Sequence, residues 1–208
     1  MVDFSLTEEQ REIRNWVRTF VERELMPLEP EVLRRERNGE GHGLTPQELH
    51  DLRQLAKKSD FWGIQTPVEY GGMGLDAVTT ALVEIELGRT FIPFSFGGGA
   101  DNILFYANEE QKKRYLLPTI AGERKSCFAI TEPGAGSDAK AIRTRAYKDG
   151  DHWVINGEKT FITGGNEADF AMVFAVTDPE KGANGGVTCF LVDREAGWRS
   201  EPIPTMGE

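Results

Sequence analysis

The stretch CFAITEPGAGSD, residues 127–138, decides how this chain is organised. Its apolar first half has the pattern of a strand, and Pro133 interrupts that run because proline donates no hydrogen bond to a sheet. Gly134 and Gly136 can adopt a positive φ and Ser137 can bond to its own backbone, so we expect a bent loop. Such a bend turns N–H groups toward one point and suits anionic or carbonyl oxygens. An ordinary strand-to-turn exit fits the same residues equally well.

The same loop also matches a relaxed dinucleotide-binding pattern, GAGSDA at residues 134–139, which requires a helix directly after the glycines. Residues 142–147, IRTRAY, have the pattern of a strand instead, and Asp149-Gly150 then predicts a tight hairpin. We therefore expect no helix N-terminus beside the loop to hold a pyrophosphate. No Gly-Lys-Ser/Thr follows either, so both a Rossmann fold and a phosphate-binding P-loop are rejected.

The composition is that of an acidic globular protein. The 208 residues carry 34 acidic and 24 basic side chains, a net charge of −10, which argues against binding nucleic acid or an anionic membrane through a basic face. No apolar run approaches the roughly 20 residues of a membrane span, and the N-terminus lacks the pattern of a signal peptide. We therefore expect a cytoplasmic protein without a membrane span.

The cysteines and histidines show no metal-ligand spacing. Cys127 and Cys189 each lie in an apolar, strand-like run, which favours buried free thiols over a disulfide or a nucleophile. The three histidines are scattered, and no metal site is predicted.

The first segment has a strong helical pattern. TEEQ at residues 7–10 forms a capping box, so a helix is predicted to begin after Thr7. Apolar residues then recur at helical spacing on one face, namely Ile13, Trp16, Val17, Phe20, Val21 and Leu25. We interpret this stripe as core rather than as a cofactor contact. Pro27 and Pro30 are predicted to end the helix, and residues 29–43 to form a mobile loop.

Three further N-caps predict the remaining helices. Thr45 opens a second capping box with proline at the first helical position, and Asp76 is the cap of a helix that runs to Gly88. Residues 100–107 have the composition of a buried helix. Asn108 caps one more helix, which is predicted to end near Pro118.

The periodicity changes after residue 122. Strands are predicted over residues 126–131, 142–148, 152–156, 159–163, 170–177, 187–193 and 198–203. Asp149-Gly150 and Asn156-Gly157 are tight-hairpin signals. The expected fold class is therefore α+β, with an all-α domain over residues 1–122 and a small β-barrel or sandwich over 123–208. A cleft between such domains is a usual place for a cofactor.

Four stretches, in order along the chain, resemble the signature segments of acyl-CoA dehydrogenases. They are PVEYGGMGL at 67–75, EEQKKRYLLP at 109–118, TEPGAGSD at 131–138 and WVINGEKTFITG at 153–164. The resemblance covers essentially the whole chain. It implies an N-terminal helical domain and a β-barrel-like middle domain, truncated here, with FAD between the middle domain and a C-terminal helical domain.

The resemblance also implies the residues that contact the cofactor. They are Phe128, Ile130, Thr131, Gly136, Ser137, Phe161, Ile162 and Thr163. The first three line the flavin edge, and Ser137 reaches the FAD pyrophosphate and neighbours the acyl-CoA substrate. Residues 161–163 pass behind the ring, with Thr163 near the reactive flavin nitrogen. Many relatives have Trp where this chain has Phe161, which can stack on a flavin but lacks the indole N–H.

The family's general base is a glutamate of its C-terminal helical bundle, and no acid of this chain matches it. Glu132 corresponds to a loop residue, and Glu158 is expected to be exposed at a hairpin. Because the chain stops at residues 204–208, within what resembles the β domain, we expect no catalytic residue in it. The same bundle carries the family's tetramer interface, so a homo-oligomer, or a hetero-oligomer with a chain that supplies this domain, is expected.

The function implied by the resemblance is FAD-dependent α,β-dehydrogenation of an acyl-CoA thioester in fatty acid metabolism. Electrons would pass to an electron-transfer flavoprotein. Two alternatives remain open. One is a non-catalytic, truncated or partner-dependent subunit that binds FAD or acyl-CoA, and the other is a related flavin oxidase or monooxygenase.

Overall fold

The computed structural model describes residues 5–182 and 185–203. The chain separates into two compact units, one that ends at Ala100 and one that begins at Asp101. The first unit is helical, and the second contains short helices followed by all of the described strands. The predicted class, helices followed by a β region, is confirmed. Within the described ranges, the helices are all too short or too polar to cross a bilayer.

The described part of the first unit contains four α-helices, of which the first, third and fourth begin where the sequence predicts. They are α1 (Glu8–Phe20), α2 (Glu29–Asn38), α3 (Pro46–Lys58) and α4 (Ala77–Leu87). Thr7 and Thr45 form complete capping boxes, each with its side chain bonded to the third helical N–H. The carboxylate of Asp76 accepts from two N–H groups in the first turn of α4. These caps satisfy amide groups that have no partner inside the helix.

The loop predicted over residues 29–43 is wrong, because most of it is α2. Pro27 and Pro30 lie in the first turns of a 3-10 segment and of α2, where the missing N–H breaks no helical hydrogen bond. Val32 is fully buried, and Arg35 forms an ion pair with Glu48 of α3 at 2.8 Å. The charged residues of α2 are therefore the solvent face of a packed helix.

The apolar stripe of α1 is core, as predicted. Phe20 is 5% exposed, and the Trp16 ring stacks on Phe61 with ring centres 4.4 Å apart. An ion pair also joins α1 to α4, since Arg18 contacts the buried carboxylate of Glu86 at 2.7 Å. The hydrogen bond from Arg18 lowers the pKa of Glu86 despite its burial, so this carboxylate stays charged at neutral pH.

Three short helices open the second unit. They are α5 (Asn102–Phe105), α6 (Glu109–Gln111) and α7 (Leu117–Ala121), with a π-helical segment between the last two. The buried helix predicted over 100–107 is wrong in length and in burial, because it has one turn and Tyr106 is 91% exposed. The capping box at Asn108 is confirmed. The predicted end near Pro118 is too early, because this proline lies in the first turn of α7.

The described strands form one mixed sheet. They are β1 (Ser126–Ala129), β2 (Arg145–Asp149), β3 (His152–Asn156), β4 (Phe170–Val176) and β5 (Val187–Asp193). Strand β4 is central: it runs parallel to β1, antiparallel to β5, and meets β2 only where Val176 lies opposite Arg145. The predicted hairpin at Gly150 joins β2 to β3 and is confirmed. The sheet packs Phe170 against the ring of Tyr115, with ring centres 4.8 Å apart.

Two predicted strands, 159–163 and 198–203, are absent from the described sheet. Phe161 has a φ of 56°, which a β-strand cannot contain. Trp198 follows a glycine of left-handed conformation and packs its ring on Arg194 instead of pairing. The predicted Asn156-Gly157 hairpin is wrong as well. Gly157 is needed for a different reason, since a Cβ there would collide with Thr144.

Both cysteines are free, as predicted, and they lie on opposite faces of the sheet. Cys127 lies opposite Ala171 of β4, and Cys189 lies opposite Phe174 of the same strand. Ala171 and Phe174 are three positions apart, an odd number, so they point to different faces of the sheet. Burial raises the pKa of both thiols, that of Cys189 to about 11. These cysteines are therefore packing residues.

Candidate functional site

The glycine loop, residues 131–138, is a tight turn at the end of β1. The N–H of Glu132 donates to the carbonyl of Ala135 at 3.0 Å, and the reverse bond measures 3.1 Å. Neither Gly134 nor Gly136 has a positive φ, so that expectation is wrong. A Cβ at either glycine would meet no atom within 4 Å. The fold therefore leaves open space beside both residues and does not itself require glycine there.

The second half of the loop offers hydrogen-bond donors to solvent. In the part of the chain that the structure describes, the backbone N–H groups of Gly136 and Ser137 donate to no other group. Ser137 is exposed. A single 3-10 turn, Ala139–Ala141, follows the loop, so no α-helix begins directly after its glycines, as predicted. The exposed donors match the oxygen-binding role expected of this bend.

Glu132 turns inward from the loop and is 7% exposed. One carboxylate oxygen accepts from the N–H of Arg143 at 2.6 Å, and the other from the N–H of Thr144 at 2.9 Å. Lys159 donates to this second oxygen at 2.8 Å. Burial alone would raise the pKa of Glu132, but these donors outweigh it and lower the pKa to about 2. The carboxylate is therefore ionised at neutral pH and accepts hydrogen bonds from three donors.

Lys159 lies in the motif at residues 153–164, whose second half, residues 159–164, we call the Phe161 segment. Its side chain is 11% exposed, and its ammonium group also donates to the carbonyl of Ile130 at 2.9 Å. The N–H of Thr160 donates to the carbonyl of Thr131 at 2.9 Å. These contacts bring the Phe161 segment directly beside Ile130 and the glycine loop. The two motifs predicted to share a site are therefore neighbours in the structure.

The side chains of the predicted site residues lie on two faces of the sheet. Ile162 packs against the face that carries Cys127 and Ala129. Phe128 lies between these two residues in β1, so its ring is on the opposite face, 4.8 Å from that of Phe174. Phe128 and Phe161 are 39% and 74% exposed. Both the strand that leads into the glycine loop and the Phe161 segment therefore carry an aromatic ring that is exposed to solvent.

The turn that follows the Phe161 segment is held by one arginine. Arg194, at the end of β5, donates to the carbonyls of Gly165 at 3.1 Å, Asn166 at 2.5 Å and Ala168 at 3.1 Å. These carbonyls lie outside helices and strands, where a backbone group needs another partner. Arg194 therefore fixes the turn from which the Phe161 segment projects.

Three residues of this region were not predicted as site residues, namely Glu132, Lys159 and Arg194. Glu132 and Lys159 are 27 residues apart in the sequence. Arg194 is 26 to 29 residues from the backbone carbonyls to which it donates. No spacing rule for helices or strands connects positions at such distances. Only the presence of a lysine and a glutamate in two neighbouring motifs could have suggested the pair. Within the described residues, no cluster of side chains could hold a metal ion.

Comparison with known protein families agrees with this arrangement. Residues 7–123 match the family model of the acyl-CoA dehydrogenase N-terminal domain. Residues 127–208 match the model of the acyl-CoA dehydrogenase middle domain, which includes both motifs. The chain belongs to the acyl-CoA dehydrogenase family.

Curated relatives in this family include enzymes of different names. The chain is 39% identical over 193 residues to a 3-(aryl)acrylate reductase of Clostridium sporogenes, covering 90% of this chain and 48% of the relative. It is 37% identical over 199 residues to a short-chain specific acyl-CoA dehydrogenase of Clostridium acetobutylicum, covering 93% and 50%. The chain thus spans about half the length of the curated relatives it matches.

Two solved structures are similar to the chain, and the chain covers about half of each. A glutaryl-CoA dehydrogenase of Mycobacterium smegmatis in complex with FADH2 is 33% identical, with a TM-score of 0.66 and coverage of 91% of this chain and 46% of that one. The ChsE4–ChsE5 complex of Mycobacterium tuberculosis is 27% identical, with a TM-score of 0.77 and coverage of 99% and 52%.

Proposed function

We propose that this chain supplies the flavin-binding N-terminal half of an FAD-dependent acyl-CoA dehydrogenase. Residues 1–122 would form the helical domain and residues 123–208 the β domain that holds FAD. The observation that carries the proposal is the junction of the glycine loop with the Phe161 segment, made by Lys159 and Thr160 within the matched middle domain. The enzyme would oxidise an acyl-CoA thioester between its α and β carbons and pass electrons to a flavoprotein carrier.

The chemistry of the exposed groups fits FAD. An isoalloxazine ring needs aromatic or apolar surface and fixed hydrogen-bond partners at its edge, and a diphosphate needs donors. Phe128 and Phe161 offer exposed rings, and Gly136 and Ser137 offer free N–H groups within the described chain. The space beside both loop glycines leaves room for a ligand to approach the backbone. A metal-dependent reaction has no such support among the described residues.

Each proposed contact has a distinct role. Phe128, Ile130 and Thr131 would line the flavin edge, and Gly136 and Ser137 would bond the pyrophosphate, with Ser137 also beside the acyl-CoA. Phe161, Ile162 and Thr163 would pass behind the ring, with Thr163 near its reactive nitrogen. When bound, FAD supplies the hydride acceptor for the β-hydrogen of the substrate.

Proton removal from the α carbon requires a base that Glu132 cannot provide. Its carboxylate is buried and already accepts hydrogen bonds from three donors. Because its pKa is about 2, it is also a very weak base near neutral pH. Glu158 is exposed, but the resemblance gives it no match to the family's base. We therefore propose that the general base belongs to the C-terminal helical bundle of the family.

The test is to join the chain to the C-terminal segment that its relatives carry beyond the shared half, and to add FAD. We expect a yellow protein whose flavin absorbance is bleached by an acyl-CoA. A colourless protein after FAD addition would contradict the proposal. Bleaching followed by rapid reaction with oxygen, without a carrier protein, would instead identify an oxidase or monooxygenase.

A second candidate is a partner-dependent subunit, which the likeness to the ChsE4–ChsE5 complex favours. In that case the base and the rest of the FAD site come from another chain. The candidate expects no dehydrogenase turnover from the 208 residues alone and turnover after a partner chain is added. Turnover by the isolated chain would exclude it.

A further inference from the structure

We propose that Glu132 and Lys159 are a positioning pair for the flavin, which fixes the Phe161 segment against the glycine loop. The inference rests on the proposed function, since it concerns how the same site is held in shape. The pair joins motifs that are 27 residues apart, at 2.8 Å and with side chains 7% and 11% exposed. Neither side chain faces solvent, so their effect on a ligand must act through the backbone that they hold.

The pair connects three separate pieces of backbone. The Glu132 carboxylate binds the N–H groups of Arg143 and Thr144, just before β2, and Lys159 binds the carbonyl of Ile130 at the end of β1. Among the described residues, one backbone hydrogen bond links the glycine loop to the Phe161 segment, from Thr160 to Thr131. One such bond does not fix the relative position of two irregular segments, so the pair supplies most of the connection.

The pair also lies next to residues that are proposed to contact the flavin. Phe161 comes two residues after Lys159, is 74% exposed and holds a φ of 56°. A residue keeps such a conformation only when its surroundings impose it. Lys159 anchors the segment immediately before Phe161, and Thr131 is adjacent to Glu132. Movement of the pair would therefore displace the proposed flavin contacts on both motifs together.

A positioning role and a purely structural role predict different results in two variants. Lys159→Met leaves the Glu132 carboxylate buried without its cation, which is costly in any protein. The double variant Glu132→Gln/Lys159→Met removes both charges and keeps similar volumes, so it should recover the part of the lost stability that comes from the unpaired charge, while the glutamine amide accepts from only one of the two backbone N–H groups. It does not restore the hydrogen bond from Lys159 to Ile130. The double variant therefore separates stability from position.

Amide hydrogen exchange in the 208-residue chain measures the connection without any ligand. In Lys159→Met and in the double variant we expect the Thr160 amide to exchange roughly tenfold faster relative to the amides of β4, whose rates follow the global stability of each variant. The matched control is Lys125→Met, which removes an ion pair with Glu167 of similar length, 2.6 Å, but with side chains 66% and 71% exposed. The control should leave the Thr160 amide unchanged.

FAD affinity of the completed protein gives the second readout, from quenching of flavin fluorescence. Both variants of the pair should bind FAD roughly tenfold more weakly than wild type, even where the double variant recovers the wild-type unfolding midpoint. Unchanged exchange at Thr160, or FAD affinity that recovers together with stability, would overturn the inference. A wild-type protein that binds no FAD would contradict the proposed function, whereas the exchange measurement would still decide whether the pair connects the motifs.

Discussion

The guanidinium group of Arg194 lies 3.9 Å from the ring centre of Trp198 and donates to three backbone carbonyls at the same time. A guanidinium can do both because its face stacks on an aromatic ring while its edge presents several N–H groups. The carbonyls belong to residues 165, 166 and 168, in the turn after the Phe161 segment. This arginine therefore connects the end of β5 to the candidate site.

Arg194→Met should destabilise the chain by roughly 2 to 3 kcal/mol, because three carbonyls lose a charged donor. Lys at this position should recover less than half of the loss, since an ammonium group cannot reach all three acceptors in the same plane. Urea unfolding followed by tryptophan fluorescence and circular dichroism measures both variants.

The matched control is Arg199→Met. Arg199 is exposed, and the described part of the chain offers it no hydrogen-bond partner or ion pair. Its loss should change the free energy of unfolding by less than about 0.5 kcal/mol. Equal effects of the two substitutions would show that the Arg194 contacts do not hold the turn.

The buried carboxylate of Glu132 predicts how stability depends on pH. Its pKa is about 2 in the folded protein against an ordinary value of 4.5, so the unfolded chain binds its proton first as pH falls. The stabilisation, about 3 kcal/mol, is fully present above pH 4.5 or so and is lost progressively as pH falls toward 2. Glu132→Gln should therefore flatten the stability curve between about pH 5 and 2.

The measurement is urea unfolding at a series of pH values, with Glu158→Gln as the control. Glu158 is exposed, and its replacement should leave the slope of the wild-type curve unchanged within error. A Glu132→Gln curve parallel to wild type over the acidic range would mean that this carboxylate is not held by its donors.

Local hydrogen bonds made the helix starts predictable from the sequence. The caps at Thr7, Thr45 and Asp76 bind amides two or three residues away, so the pattern that forms them lies within one short window. Pro27 and Pro30 show where a short window fails. A proline can end one helix or begin the next, and the tertiary contacts of α2, among them the burial of Val32, lie outside a short window of sequence.

The candidate site shows the corresponding limit for strands. Residues 159–163 are rich in β-branched and aromatic side chains, as a strand is, yet the backbone turns at Phe161. The contacts that accompany the turn come from Glu132 and Ile130, which hold Lys159 from 27 and 29 residues away. Family resemblance could place the two motifs in one site, but the pair that connects them follows only from the folded chain.

Glycines of the two motifs should respond differently to alanine. A Cβ at Gly157 would collide with Thr144, so Gly157→Ala should cost roughly 1 to 3 kcal/mol of stability. A Cβ at Gly136 meets no atom within 4 Å and its φ is not positive, so Gly136→Ala should change stability by less than about 0.5 kcal/mol. Thermal unfolding of both variants measures the difference.

The same substitution at Gly136 tests the proposed diphosphate contact. If FAD lies against this backbone, the added methyl group should weaken FAD binding by roughly tenfold in the completed protein, with the fold intact. Gly71→Ala is the control for a loop glycine with open space, although its φ of 81° makes that variant less stable. Unchanged FAD affinity in Gly136→Ala would remove Gly136 from the site.

Phe161 combines a left-handed backbone with an exposed ring. Its replacement by glycine should therefore affect stability and FAD affinity differently. Glycine adopts a φ of 56° without the cost of roughly 1 kcal/mol that a side chain with a Cβ incurs, and a ring that is 74% exposed contributes little burial energy. Phe161→Gly should therefore leave stability unchanged or raise it by up to about 1 kcal/mol, while FAD affinity of the completed protein falls because the stacking surface is gone.

Asp60→Gly is the control, since Asp60 has a similar φ of 58° in the helical unit. It should match the stability effect without changing FAD binding. Loss of stability in Phe161→Gly with FAD affinity intact would show that the ring serves the fold and not the flavin.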